Sequence, residues 1–379
     1  MSRILSLAQA KQSGIIQLIR ELVECESPSD DPAAVNRFVD LVVSKVAGDA
    51  KVRTFPGGRF GCHLRCEFNL PGRRKAGQIL ALGHSDTVWG MGTLANMPFR
   101  QAKGRLWGPG VLDMKSGIAF FIFAMKVLRE LDIPVRSKVV LQLNSDEEVG
   151  SDSSRSLTEE SARKSVAVLV LEPGTGLEGR LKTARKGVGA YKVKVTGKAS
   201  HAGVDFEAGA SAILELARQI ERIAGFTNFA KGITVNPGVI TGGTRSNVVA
   251  AEAQAEVDIR IARAKDEGPL DKKFRALRAL DKRCAIRIEG GLNRPPMERT
   301  AAIRGLFQTA RGLASEIGVD LAESATGGGS DGNFTAALGI PTLDGLGGVG
   351  EGAHASHESI LVDRIADRTA LLAMLVTAL

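Results

Sequence analysis

Ser145-Asp146-Glu147-Glu148-Val149-Gly150 follows a run of strand formers over 139–143, and the chain then turns at Gly150. Successive strand residues point to opposite faces, and the backbone bends here, so neighbouring carboxylates meet different partners. One of them can hold a cation while its neighbour stays free to carry a proton. A solvated acidic turn is the commoner use of such a triplet. What decides between the two readings is the company the stretch keeps along the chain.

A chain of 379 residues is too long for one simple core, and two domains are expected. Hydrophobic and charged fractions of 44% and 24% are those of an ordinary soluble protein. No apolar run reaches the length of a membrane span, so no membrane partner is expected. Residues 1–24 read as an amphipathic helix with Ile15, Ile16, Ile19 and Leu22 on one stripe. The stretch lacks a signal peptide's apolar block and cleavage site, and the expectation is a cytoplasmic protein. Cys25, Cys62, Cys66 and Cys284 are too few and scattered for a disulfide scaffold. Cys62-His63 with Cys66 hints at a metal site, but no second pair completes it, and buried thiols on a strand are the better reading. A net charge of +8 suits an anionic substrate. Nucleic acid is not expected as a partner, because the basic residues are dispersed and aromatics make up only 4%.

Several acids and a histidine stand at strand ends. A short apolar strand over 78–82 leads to Gly83-His84-Ser85-Asp86, where an imidazole can ligate through one nitrogen while a carboxylate two residues on steadies the other. Asp113, after Gly108-Pro109-Gly110, precedes a helix over 116–131 and can bind a cation or cap that helix. A buried strand over 166–171 ends in Glu172. In an open α/β sheet such strand ends converge on one crevice. One acid there means little; the set is hard to explain by capping.

Near Lys186 the texture changes. Strands over 188–195, 233–241, 252–262 and 285–289, with helices over 207–223 and 270–280, give a β-α-β-β-α-β order, that of a ferredoxin-like unit. Residues 186–293 therefore read as a second domain inserted into a first made of 1–185 and 294–379. The remainder holds a helix over 299–317, then Gly327-Gly328-Gly329-Ser330-Asp331, whose glycines can offer N–H groups to an anion, and a closing helix over 362–379.

GHSDTV, GPGVLDMKSG, SDEEVGS, LEPG, KASHAGV, GGTRSNVVAAEAQAEVDIR, GGLNRPPMERT, GGGSDG and GEGAHASHE occur in that order. Together they resemble the co-catalytic di-zinc exopeptidases and amidohydrolases, which include glutamate carboxypeptidases, aminoacylases, acetylornithine deacetylases and desuccinylases. The glutamate carboxypeptidase branch is the most alike. The resemblance spans about 15–358 and implies an α/β fold: a zinc-exopeptidase-type catalytic domain on a central mixed sheet, with an inserted α+β lid and dimerisation domain. It implies two Zn²⁺ per subunit, with Co²⁺ or Mn²⁺ as substitutes, held by His84, Asp113, Glu148, Glu172 and His354, with Asp113 bridging. His354 is preferred over His357 because the family's histidine stands four residues before a glutamate, as His354 does before Glu358.

The same resemblance makes Glu147 the general base toward a metal-bridging water and Asp86 the residue that steadies His84. It makes His201 an oxyanion stabiliser reaching into a partner subunit's site. Asn247, Arg260, Gly328 and Gly329 would bind substrate, Arg260 through its planar fork. A homodimer acting on a peptide or N-acyl amide next to a free carboxylate is the implied function. An N-acyl amino acid deacylase is the alternative, and from another class, a catalytically silent binding protein on this fold. Residues 174–185 match no pattern that would settle side-chain preference.

Overall fold

The structure is a computed structural model that describes residues 3–73 and 75–379. The chain divides into two compact units, one of Met1–Ala184, Arg299–Ala325 and Ser330–Leu379, the other of Arg185–Glu298 and Thr326–Gly329. The second unit thus takes in the short segment 326–329, which the motif order alone leaves with the first.

The first unit is built on a six-stranded sheet in the order Ala50–Pro56, Cys62–Phe68, Lys138–Asn144, Gln78–His84, Ala167–Val170, Thr342–Leu343. Its first two strands run antiparallel to their neighbours, and the other four are mutually parallel, so the sheet is mixed. Parallel strands must be covered on both faces, and the middle strand shows this directly. Ile79 and Ala81 enter the large core with the buried helix Ser116–Glu130 and the final helix Ile365–Ala378, while Leu80 and Leu82 enter a smaller core with Val140, Ala162, Val168 and Val170. The N-terminal stretch forms two helices, Arg3–Ala10 and Gln12–Glu24, rather than one. They part at Lys11, and the expected helix start at residues 1 and 2 lies outside the described residues.

Register sets the site. Within the parallel core His84 is level with Asn144, and Leu82 with Val170, so Glu172, two residues on, comes level with His84. A small four-stranded sheet, ordered Gly350–Glu351, Ser359–Leu361, Arg105–Trp107, Arg100–Ala102, was not visible in the sequence. It pairs Ser359 with Trp107 and so ties the segment after His354 to the loop before Asp113.

The second unit has the βαββαβ order: Gly187–Thr196, helix Ala212–Ala224, Thr234–Gly242, Glu252–Ile261, helix Glu267–Arg275, Ala285–Arg294. Its antiparallel sheet runs in the spatial order 234–242, 252–261, 187–196, 285–294. Every second residue from Gly187 to Val195 is buried, the period of two that puts one face on a core. That core holds Tyr191, Val193, Val195, Val257 and Phe274, with Phe274 stacked on Tyr191 at 3.8 Å between ring centroids. The last strand runs five residues beyond the expected 285–289, and residues 181–185, unassigned from sequence, form a strand paired with Glu323–Thr326.

Candidate metal centre

His84 closes the central strand and is almost fully buried. Its Nδ1 donates to the backbone carbonyl of Asp86 at 2.9 Å, which turns Nε2 outward; the Asp86 carboxylate is further off, at 3.5 Å. His84 Nε2 lies 3.2 Å from Asp113 Oδ1 and 3.5 Å from Glu172 Oε1. On the other side, His354 Nε2 lies 3.4 Å from Asp113 Oδ2 and 3.3 Å from Glu148 Oε1. Two groups result, His84–Asp113–Glu172 and Asp113–Glu148–His354, with ligand atoms in each within 4.8 Å of one another. Asp113 belongs to both. His354 adopts a left-handed backbone, φ 61°, in a turn opened by Gly352, φ 83°. A side chain at Gly352 would stand 2.9 Å from the His357 ring, so His357 packs over the glycine while His354 faces the acids.

Electrostatics follow from this packing. Burial alone would lower the proton affinity of His84, but Asp113, Asp86 and Glu172 lift it well above the ordinary imidazole value. Asp113 and Glu148 raise His354 to about 10. Burial opposes ionisation of Asp113, yet His354 and His84 hold its carboxyl far below the usual carboxylate range. Burial also pushes Glu148 up, only partly offset by His354. Glu148 Oε1 is buried with no hydrogen bond among the described residues. Clustered carboxylates, one of them with a buried oxygen that meets only an imidazole, are what a divalent cation satisfies. Imidazole nitrogen with carboxylate oxygen is a donor set that fits Zn²⁺.

The loop that carries Glu147 and Glu148 is pinned from the neighbouring strand end. Asp86, itself buried, accepts the N–H of Glu147 on Oδ1 and that of Glu148 on Oδ2, both at 3.2 Å, and a hydroxyl from Ser29 at 2.7 Å. Its carboxylate therefore holds the two glutamates more closely than it holds His84. Sequence reasoning missed Glu358 as anything but a spacing marker. Fully buried, it accepts the N–H groups of Gly110, Leu112 and Asp113 and the indole N–H of Trp89, at 2.8–3.0 Å. The only trace in the sequence is a glutamate in an otherwise small and polar run.

The remaining site residues of the sequence reading lie in the second unit. His201 and Asn247 sit on adjoining exposed segments, with Ala202 N donating to Asn247 O at 2.9 Å. His201 Nδ1 accepts the Gly203 N–H at 3.1 Å, so in the neutral ring Nε2 carries the proton. Arg260 is engaged by Asp258 in a two-pronged pair, Nε to Oδ1 at 2.9 Å and Nη2 to Oδ2 at 2.8 Å, while Nη1 meets the Gly327 carbonyl at 3.3 Å. The carbonyls of Gly328 and Gly329 accept from Arg185 Nη1, and the Gly328 N–H goes to the Thr326 hydroxyl at 3.3 Å. All four cysteines are free thiols, and burial pushes Cys66 up to about 12. Among the described residues no helix is long and apolar enough to cross a membrane.

Comparison with known proteins agrees with this geometry. The profile of Peptidase family M20/M25/M40 matches residues 80–378. Carboxypeptidase G2 of Pseudomonas sp. (strain RS-16) is 30% identical over 382 residues, covering 97% of this chain and 90% of that protein. Among solved structures, aminopeptidase PepT from Bacillus cereus ATCC 10987 superposes with a TM-score of 0.78 at 24% identity, covering 97% of this chain and 98% of that one. An M20 family metallo-carboxypeptidase, Sso-CP2 from Sulfolobus solfataricus, gives 0.70 at 17% identity, with 96% and 99% covered. These two show the fold alone; the family profile and the carboxypeptidase relative make the chain a member of peptidase family M20/M25/M40, a metallopeptidase that hydrolyses amide bonds.

Proposed function

We propose that the protein is a di-metal exopeptidase that cleaves the amide bond beside a free carboxylate and releases a C-terminal amino acid such as glutamate. The observation that carries this reading is Asp113, whose two oxygens face two different imidazoles, Oδ1 toward His84 and Oδ2 toward His354. A carboxylate so placed can serve two cations at once. His84 and Glu172 would hold one, Glu148 and His354 the other, and two zinc ions would supply Lewis acidity toward the scissile carbonyl and the attacking water. Glu147 takes a proton from that water and returns it to the leaving amine. The Asp86 carboxylate fixes its backbone for that task.

His201 would donate from Nε2 to the developing oxyanion, a role suited to the tautomer its Gly203 contact selects. Arg260, with Asn247, Gly328 and Gly329, would hold the substrate's carboxylate. Similarity to carboxypeptidase G2 supports release of a C-terminal residue, the net charge of +8 suits an anionic substrate, and the motif resemblance favours glutamate as the residue released. Pairing of two copies through the second unit is supported by its edge strand Thr234–Gly242, which exposes Val239 and Ile240 at 53% and 56%.

Hydrolysis of a panel of dipeptides, N-acyl amino acids and their C-terminal amides by zinc-loaded protein tests the reading. Cleavage confined to substrates with a free C-terminal carboxylate, fastest for glutamate, is expected. Equal turnover of the amides, or turnover only of N-acyl amino acids whatever the side chain, overturns it.

A further inference from the structure

The antiparallel ladder between Cys62–Phe68 and Lys138–Asn144 runs out where Leu64 faces Leu143. Just beyond it the chain leaves the sheet toward Glu147, and the Ser145 N–H needs a new acceptor. His63, 1% exposed, supplies it: Nδ1 lies 3.1 Å from Ser145 N and 3.0 Å from Ser145 Oγ. A backbone N–H only donates, so Nδ1 is the bare nitrogen and Nε2 carries the proton. Nε2 lies 3.2 Å from Ser153 Oγ, whose hydroxyl donates to Asp146 Oδ2 at 2.7 Å. That same oxygen accepts the N–H groups of Ser153 at 2.7 Å and Ser154 at 3.3 Å. Burial pushes His63 below the ordinary imidazole value, against the pull of Asp146, Asp331 and Asp86, so the ring stays neutral near pH 7.

One ring thus joins residue 145 to residue 153, and the two glutamates lie between those ties. The hairpin tip before the strand locks the ring in place. A Cβ on Gly57 would stand 2.8 Å from Ser145 Oγ and 3.0 Å from His63 Cε1, so only glycine lets the turn close over the pair. A wrong tautomer would set two donors nose to nose at Ser145, leaving a buried N–H unpaired.

We propose that His63 is a positioning residue: as the neutral Nε2–H tautomer it sets the pose of the segment 145–153 and, through it, of Glu147 and Glu148. The proposal rests on the roles given to those glutamates above. It touches neither substrate nor metal, so its effect falls on turnover. A misplacement of the base by a fraction of an ångström to 1 Å costs about 10- to 100-fold in rate.

Two measurements on the zinc-loaded, full-length enzyme test it. Nitrogen-15 spectra of histidine-labelled protein, with the His63 signals among the five histidines assigned by their loss in His63→Asn, report the tautomer directly. A bare Nδ1 and a protonated Nε2 at pH 7 are expected; the reverse, or a doubly protonated ring, overturns the proposal. Kinetics supply the second. Asparagine places an acceptor where Nδ1 stands and glutamine places a donor only where Nε2 stands. His63→Ala and His63→Gln, assayed at saturating zinc, should each lose kcat about 10- to 100-fold with KM unchanged, while His63→Asn stays within about threefold of the parent. Wild-type kcat in His63→Ala, or equal losses in all three variants, overturns the proposal. Should His63→Ala fail to fold, the contrast between Asn and Gln decides alone. Full activity in Glu147→Gln would instead remove the base assignment, while the tautomer measured by the spectra stands or falls separately.

Discussion

Glu358 Oε1 accepts the backbone N–H of Asp113 at 3.0 Å. The residue that faces both imidazoles is therefore set by a carboxylate from the far end of the chain. Three backbone donors and the Trp89 indole converge on Glu358, and nothing smaller or neutral offers as many acceptor sites in that space. Glu358→Gln turns an NH₂ group onto at least one of these donors. Loss of about 1–3 kcal/mol in metal-free stability is expected, with reduced zinc retention on dialysis. Trp89→Phe removes one donor and keeps the ring, so its loss should be smaller, about 0.5–1.5 kcal/mol by denaturant unfolding.

Glu147→Gln keeps the shape of the side chain and the Asp86 contact to its backbone but cannot accept a proton. Turnover should fall by roughly 10²–10⁴-fold with zinc content unchanged by elemental analysis. A variant that is inactive and metal-poor would mean that Glu147 and Glu148 have exchanged roles.

Both imidazoles of the centre are protonated near pH 7 in the metal-free protein, since their neighbours raise them. Filling the two ligand groups must displace those protons, so about two should be released per chain and apparent affinity should climb with pH. Calorimetry in buffers of different ionisation enthalpy measures the number. The sign for stability runs the same way. A histidine raised from about 6.5 to about 10, as His354 is, contributes stability fully present below about pH 6.5 and lost as pH rises through about 10. Chelated protein should thus melt at lower temperature as pH goes from about 7 to about 10, while zinc-loaded protein holds its melting point better, its imidazoles being bare already.

Arg260 meets Asp258 through Nε and Nη2, which leaves Nη1, now on the Gly327 carbonyl, as the edge nearest to hand for a substrate. Arg260→Ala should weaken kcat/KM for substrates with a free carboxylate by about 1.5–3 kcal/mol, some 10- to 150-fold, and leave their amides nearly unchanged. Asp258→Asn releases the other edge and should alter KM more than kcat. Equal losses for acid and amide in Arg260→Ala would end the assignment.

If His201 acts across a two-fold pair, two inactive chains can complement one another. In a mixed dimer of His201→Ala with Glu147→Gln, the site on the first chain keeps its own Glu147 and receives an intact His201. Random pairing makes half the dimers mixed, each with one good site of two, so about a quarter of parental activity should return. Doubly tagged dimers, purified after co-expression, are all mixed and should show about half of parental activity per dimer; no recovery would place His201 in its own subunit's chemistry or in none.

The parallel core and the strand-end chemistry were readable because short apolar runs ending in His84 and Glu172 carry their own signal. The βαββαβ order was readable for the same reason, from alternation such as that of Gly187–Thr196. What escaped reading depends on contacts far apart in sequence. Ser359 pairs with Trp107 in a strand of three residues, too short for any periodicity, yet that pairing brings Glu358 to Asp113. His63 sat between two cysteines and invited a metal reading; its register against Lys138–Asn144, which puts it at Ser145, is set by strand pairing alone. Asp86 stands beside His84 as its spacing suggests, but local spacing cannot show that its carboxylate also receives the amides of Glu147 and Glu148, from the turn after the neighbouring strand.

The two-part path of the first unit orders events at the ribosome. Residues that bring His84, Asp113, Glu148 and Glu172 are all made before the second unit begins, whereas His354 and Glu358, with the closing strand Thr342–Leu343, come after it. Translation at about 5–20 residues per second puts roughly ten to forty seconds between Glu172 and His354. In that interval the emerging chain carries a cluster of acids with one imidazole and no Glu358 to set the Asp113 loop. The second unit, with a core of its own, can fold meanwhile. The second ligand group, Asp113–Glu148–His354, is therefore completed only after the second unit has been made, and a chain cut short before residue 342 lacks the edge strand Thr342–Leu343 together with His354 and Glu358.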